Sequence, residues 1–275
     1  MSFRASITAA QSEKWQRSEG KTADEIMLQL LPVAGRLASP PISDFKVGAV
    51  ARGTSGALYL GANLEIPRQS LGFTVHAEQA AASNAYMHEE AGIAAIAVTS
   101  SPCGYCRQFL EEVSPGGEIV VLVKGQKPVE LKSLLPAAFG PHQLGLTTGA
   151  FPIQRVKIAL LEKTPDTLES AALAAACASY APYTKAHSGI ALRLSDGSMH
   201  SGSYIENAAF NPSLSPLQVA LVAAVNAGRG YEQITDAVLV ELENAAISQM
   251  VVTKAALAST CPKVRLRTAA GRLVA

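Results

Sequence analysis

DFKVGAVARGTSGALYLGANLE, residues 44–65, is echoed by KAHSGIALRLSDGSMHSGSYIE, residues 185–206. Four identities set the register: Pro41 and Pro182, Gly48 and Gly189, Gly61 and Gly202, Glu65 and Glu206, each 141 apart (182 − 41, 189 − 48, 202 − 61, 206 − 65). In the first copy DFKVGAVAR alternates as a strand, GTSG turns, and ALYLGANLE returns as a second strand. In the second, SGIALRLS, a turn at Asp196-Gly197 and MHSGSYIE predict the same hairpin. A repeat this long is no solenoid unit; it reads as a duplicated domain.

Outward from the hairpin, TADEIMLQLLPVAGRLA opens with Thr22 and Glu25 in capping-box spacing and predicts an apolar helix that continues despite Pro32. A helix from about residue 76, the strand IAAIAVT, a short helix after Cys103 and the strand EIVVLV follow. Helices and strands alternating after a hairpin predict an α/β protein with a mixed sheet and helices on its faces. The second copy matches with a helix near 167–179, another from Pro216, and the strands DAVLVELE and KVRLRT. The expected organisation is a short N-terminal helical segment (1–21), a first domain (22–142), a linker (143–164) and a second domain (165–275).

Charge and composition narrow the function. Lysine plus arginine number 23 against 22 acidic residues, so the net charge of +1 offers no basic stripe for nucleic acid. Lys124, Lys127 and Lys132 are too sparse for an RNA groove. Hydrophobic content of 48% with only 5% aromatics predicts a core built from small side chains. The apolar run Ala171–Ala178 is far short of the roughly 18 residues a membrane span needs, and the N-terminus carries Arg4, Glu13, Lys14 and Arg17. No membrane association and a cytoplasmic location are expected. Four cysteines make no disulfide framework.

The chemistry gathers in two stretches. FTVHAEQAAASNAYM, residues 73–87, places His76 and Glu78 two apart, a spacing that turns them about 200° from each other inside a helix. At a helix mouth both can face one pocket. SPCGYCRQFLEE, residues 101–112, places Cys103 and Cys106 three apart, on one face of a helix start whose free amides favour thiolate. A CxxC alone is a redox pair, half a zinc knuckle or two buried small residues. With His76 upstream and no second CxxC, three ligands and an open position describe a catalytic zinc rather than a structural one.

His76-Ala77-Glu78 followed after 25 residues (103 − 78) by Pro102-Cys103-Gly104-Tyr105-Cys106 resembles the zinc-dependent deaminases, whose H-x-E…P-C-x-x-C signature is a standing description of that class. DFKVGA, GANLE, HAEQAA, PCGYCRQF, AAFGP and SYIENAAFNPSLSPLQ extend the resemblance to the two-domain, homodimeric cytidine deaminases, over nearly the whole chain beyond its first twenty residues. The resemblance implies a three-layer α/β/α fold in each copy and one zinc per chain. It implies hydrolysis of cytidine and 2′-deoxycytidine to the uridines plus ammonia, for pyrimidine salvage. His76, Cys103 and Cys106 would hold the metal, and Glu78 would shuttle protons as zinc-activated water attacks C4. Two thiolates and an imidazole leave the metal site formally neutral, so the water needs that base.

By the same resemblance Asn63 and Glu65 would bind the ribose hydroxyls, Phe45 would pack on the nucleoside, and Phe139 would close over it. Main-chain groups of Ala77 and Ser101 would read the pyrimidine edge, and Ala208–Phe210 of the partner subunit would line the pocket of the homodimer. A deaminase of a modified cytosine nucleoside, or a non-catalytic zinc scaffold, are the competing readings. In the second copy the offset of 141 puts Leu217 and Val219 in place of His76 and Glu78, or Pro216 and Gln218 with one gap. Asn244 and Ile247 stand for the cysteines, so that copy is expected to be a scaffold and dimerisation element.

Plainer expectations cover other residues. Cys177 and Cys261 read as buried apolar residues, His88, His142, His187 and His200 as surface or loop positions, and Glu111 and Glu112 as a solvated helix face. Arg107 reads as an exposed arginine or as a donor tuning the thiolates. Phe45, taken without the resemblance, reads as core.

Overall fold

The computed structural model describes residues 5–114, 116–161 and 165–274. They form two compact units. One runs to Glu65 and adds Thr74–Pro152 and Asn207–Pro212; the other takes Ile66–Phe73, Ile153–Glu206 and the chain from Ser213. Each unit therefore includes one short segment from the opposite copy of the repeat.

The first unit contains β1 (Ser6–Ile7), α1 (Ala9–Glu19), α2 (Ala23–Gly35), β2 (Gly48–Gly53), β3 (Leu58–Ala62), α3 (Ala77–Met87), β4 (Ile93–Val98), α4 (Gly104–Val113), β5 (Val120–Val123), β6 (Val129–Glu130) and α5 (Leu131–Leu134). Its sheet runs β1-β3-β2-β4-β5-β6. The β4–β5 pair is parallel and the others antiparallel, the mixed sheet the element order predicts.

Two glycines show how the helices reach this sheet. Ala49 pairs with Gly61, so Gly61 and Gly48 point to opposite faces. A Cβ on Gly61 would overlap the backbone of Ala80 and Ala81 in α3, and one on Gly48 would overlap Gly35 and Leu31 in α2. Each helix thus lies flush on one face, giving three layers. Under α2, Ile26, Met27, Leu30, Leu31 and Ala34 pack against Val50, Leu58, Leu60, Ala95, Ala97 and Leu122. Alanines dominate the buried face of α3: Ala77, Ala80, Ala81 and Ala85. Thr22 and Glu25 form the expected capping box, and Pro32 is carried inside α2.

The second unit contains β7 (Ile158–Leu160), α6 (Thr167–Cys177), β8 (Ser188–Leu194), β9 (Met199–Ser203), α7 (Pro216–Asn226), β10 (Ile234–Leu242), α8 (Met250–Thr260) and β11 (Leu266–Leu273). Its sheet, β7-β11-β10-β8-β9, repeats the hairpin and the parallel pair. Gly189 and Gly202 meet α6 and α7 as Gly48 and Gly61 meet α2 and α3. The repeated glycines mark close helix–sheet contact, which explains their place in both copies.

Several elements depart from the sequence reading. Residues 44–47 are not strand. Glu65 Oε2 accepts the Ile42 and Ser43 N–H groups (2.8 and 2.9 Å), and Oε1 accepts the Ser43 hydroxyl (2.5 Å). Asn63 accepts the Val47 N–H at 2.9 Å and donates to the Phe45 carbonyl at 2.8 Å. These side chains capture backbone groups that a sheet would otherwise pair. Glu206 repeats the clip on the Tyr183 and Thr184 N–H groups and the Thr184 hydroxyl (2.8, 3.2 and 2.6 Å). Helix α8 was not anticipated, β7 falls inside the stretch read as a linker, and the N-terminal segment contributes β1 as well as the helix α1. Among the described residues no helix is long and apolar enough to cross a membrane.

Replacing Gly61 or Gly202 by alanine is expected to lower stability by about 1–3 kcal/mol each, because backbone cannot yield as a side chain can. Urea denaturation checks this, and an unchanged midpoint would refute the flush contact.

Candidate metal centre and active site

His76 is the N-cap of α3, extended at φ −81° and ψ 157°, and its ring makes no capping bond. Gln79 instead accepts the His76 N–H at 3.2 Å, leaving the imidazole to face elsewhere. Cys103 is the N-cap of α4, again without a side-chain cap, and Cys106 lies in that helix's first turn. The ring and both sulfurs converge. His76 Nδ1 is 3.5 Å from Cys103 Sγ and 3.3 Å from Cys106 Sγ, and the sulfurs are 3.7 Å apart. Tetrahedral bonds of about 2.3 Å to sulfur and 2.0–2.1 Å to nitrogen place ligand atoms roughly 3.5–3.8 Å apart, so the donor set fits zinc. It is the one group of three or more such side chains found among the described residues.

Charge supports that fit. The Cys103 thiol is pushed down to about 4, first by the Cys106 thiol beside it, against burial, and further by the Cys106 and Tyr105 backbone amides and by His76. Cys106 is pushed strongly up by the neighbouring Cys103, by burial and by Glu78. Two sulfurs this close hold both negative charges only when a cation sits between them.

Glu78 occupies the second position of α3 and is 4% exposed. Burial raises its carboxyl above the usual range, opposed by its own backbone amide, by Cys106 and by His76. The i, i+2 spacing is thereby resolved. The N-cap backbone is not helical, so His76 and Glu78 line the same cleft of about 300 Å³.

Ser43, Phe45, Val47, Asn63, Glu65, Thr74, Ala77, Ser100, Ser101 and Cys103 complete that cleft. Phe45 is 61% exposed there, so the plain core reading fails for it. Phe139 does not line the cleft; it is exposed, and its carbonyl accepts from Gln108 Nε2 at 2.6 Å. Ser43, Val47, Thr74 and Ser100 were missed by the sequence reading; the only available signal was their nearness in sequence to Phe45, His76 and Ser101. Tyr105, between the cysteines, was also missed as a neighbour of the site. Its ring lies 5.9 Å from that of His76 and its hydroxyl donates to the Asn211 carbonyl.

Other residues differ from expectation. Arg107 is half-buried and faces no thiolate: Nε donates to the Pro102 carbonyl (2.9 Å) and Nη1 to Leu134 (2.8 Å), which steadies the loop before Cys103. Glu111 and Glu112 are buried, not solvated; Glu111 accepts the Gly116 N–H (3.0 Å) and Glu112 the Ala208 N–H (2.8 Å). His187 is buried against the Ser179 hydroxyl at 2.9 Å, and His200 is half-buried. His88 and His142 are exposed, Cys261 is buried, and Cys177 is half-buried.

The second copy has no such clasp among its described residues. The matching N-caps are Ser215 for His76 (215 − 76 = 139) and Gln249 for Cys103 (249 − 103 = 146), which corrects the fixed-offset pairing. Ser215 accepts the Gln218 N–H in an ordinary cap at 3.3 Å.

The cytidine and deoxycytidylate deaminase zinc-binding region matches twice, over residues 21–123 and 131–254. The chain is 45% identical to a cytidine deaminase of Vibrio atlanticus over 95% of its own length and 88% of that protein's. It is 42% identical to one of Serratia proteamaculans over 94% and 87%. A solved cytidine deaminase of Mycobacterium tuberculosis shares 32% identity over 42% of this chain and 96% of its own, with a TM-score of 0.39. The chain belongs to the cytidine deaminase family, with zinc as its metal.

Elemental analysis is expected to find one zinc per chain, and Cys103→Ser to lower its retention at least about tenfold. Two zinc ions per chain would overturn the reading of the second copy.

Proposed function

We propose that this protein hydrolyses cytidine and 2′-deoxycytidine to uridine and 2′-deoxyuridine with release of ammonia, in pyrimidine salvage in the cytoplasm. The observation that carries this is a buried carboxyl, Glu78, beside a three-ligand clasp in a nucleoside-sized cleft. His76, Cys103 and Cys106 would hold the zinc, which when bound would supply the positive charge that lets water act as a nucleophile at neutral pH. Glu78 takes a proton from the attacking water and passes it to N3, then takes the proton of the new C4 hydroxyl and delivers it to the amino group as the C4–N4 bond breaks, leaving a C4 carbonyl and ammonia. Its raised affinity for protons suits the acid half of that cycle. A scaffold has no use for an unligated buried carboxyl at this place.

Asn63 and Glu65 are proposed to take the ribose hydroxyls. Glu65 already accepts three donors, which leaves room for one more on its roughly four lone-pair sites. Asn63 retains one N–H and one lone pair after its bonds to Phe45 and Val47. A carboxylate there disfavours a nearby phosphate, hence nucleosides over nucleotides. Phe45 would pack on the nucleoside, and the backbones of Ala77 and Ser101 would read the pyrimidine edge. We further propose a homodimer in which Ala208–Phe210 of the partner subunit complete the pocket. The 60% exposure of Phe210 in this chain supports a surface role for that segment.

Glu78→Gln is expected to keep zinc and lose nearly all turnover, followed by the ultraviolet change from cytidine to uridine; substantial residual activity would refute the proton-carrying role. Asn63→Ala is expected to raise KM for cytidine about tenfold or more while zinc content holds, the loss of one good hydrogen bond to substrate. A panel of cytidine, deoxycytidine, CMP, cytosine and single-stranded DNA separates this reading from a modified-nucleoside deaminase, and light scattering tests the dimer.

A further inference from the structure

Gln79 is fully buried three residues beyond His76, and both ends of its amide are engaged. Its Oε1 accepts the His76 N–H at 3.2 Å, and its Nε2 donates to the Pro212 carbonyl at 3.1 Å. The preceding carbonyl, Asn211, is taken by the hydroxyl of Tyr105, whose ring faces His76. Asn207 Nδ2 donates to the Gln108 carbonyl at 3.1 Å, and Glu112 accepts the Ala208 N–H at 2.8 Å. Residues 207–212 therefore form a strap that runs along α4 from Glu112 to Tyr105 and ends on the first turn of α3 at Gln79.

We propose that Gln79 is a positioning residue for the metal: it anchors the His76 backbone to this strap and so holds the imidazole where the two sulfurs need it. His76 sits at an N-cap, where the ordinary capping bond from its own side chain is absent. Without Gln79 the His76 N–H loses its acceptor, and the ligand's backbone is held only by its carbonyl's bond from the Ala80 N–H and by the Val75–Leu64 bridge before it. Groups one step removed from a metal ligand typically change affinity 10–100-fold when lost.

The second copy contains a natural control. Gln218 occupies the same place in α7, accepting the Ser215 N–H at 2.8 Å and donating to the Phe73 carbonyl at 3.1 Å. The architecture is the same, but Ser215 faces no metal. Removing Gln79 strands the His76 N–H and the Pro212 carbonyl; removing Gln218 strands the Ser215 N–H, the Phe73 carbonyl and also the Ser215 hydroxyl, so the structural cost at Gln218 is at least as large. Only Gln79 carries a ligand at the end of its bond.

The proposal rests on the zinc reading of the His76–Cys103–Cys106 clasp; wild-type protein without zinc would sink that reading, not the role of Gln79. The test measures zinc transfer from purified full-length protein to a chromophoric chelator, together with thermal unfolding. Gln79→Met and Gln218→Met keep side-chain volume, and Gln218→Met is expected to lower Tm at least as much as Gln79→Met. Gln79→Met should release zinc about tenfold faster or more, and Gln218→Met at the wild-type rate. Gln79→Glu keeps the acceptor for His76 while losing the donor to Pro212, so it is expected to fall between Gln79→Met and wild type. That variant carries the test should Gln79→Met fail to fold. With zinc in excess, kcat of Gln79→Met should recover toward wild type. Equal zinc release from the Gln79 and Gln218 variants, or wild-type release from Gln79→Glu and Gln79→Met, overturns the proposal.

Discussion

The absent Cβ at Gly61 lets α3 lie directly on β3, and much of the site follows from that contact. A helix held this close has a fixed start, and its start is where His76 and Glu78 sit. One bridge, Leu64 with Val75, ties the approaching chain to the segment just past β3 that carries Asn63 and Glu65. The metal ligand, the buried carboxyl and the polar groups lining the cleft therefore share a single rigid origin. The repeat of the same contact at Gly202 shows that it belongs to the fold rather than to the chemistry.

Chemistry entered at the helix mouths. Where an ordinary helix has a capping hydroxyl, as Ser215 does for α7, the first copy has a histidine at α3 and a cysteine at α4. An N-cap side chain leaves the helix axis and meets exposed amides, an environment that favours a thiolate and a bound cation's ligands together. Changing the cap residues removes the metal without disturbing the helices. The two copies can thus share a backbone plan while only one has the clasp.

Buried carboxylates leave little trace in the linear sequence. Glu111 and Glu112 look like a wet helix face because charged residues seldom lie inside, yet both accept backbone N–H groups, Glu111 from Gly116 just past its helix and Glu112 from Ala208 far along the chain. Glu65 combines two features: its clip on residues 42 and 43 recurs in Glu206, so part of its place is structural, and it also lines the cleft. Burial alone would raise its carboxyl, but the Ser43 hydroxyl and the Ser43 and Ile42 amides hold it below the usual range.

Local spacing determined a good deal: the duplication, the hairpins, the Thr22–Glu25 cap, and the pairing of His76 with Glu78 and of Cys103 with Cys106, while the meeting of those two pairs was implied by the family resemblance. Those features depend on neighbours a few residues apart or on a repeated pattern, so a linear string carries them. Tertiary structure alone decided that residues 44–47 leave the sheet, that 207–212 strap the first unit, that Phe139 stays off the cleft, and that Ser215 rather than Leu217 answers to His76. Each depends on a side chain meeting backbone tens of residues away, or on a loop two residues shorter in one copy (ten between Glu65 and His76, eight between Glu206 and Ser215). Such partners are chosen by packing in three dimensions, which no periodicity along the chain records.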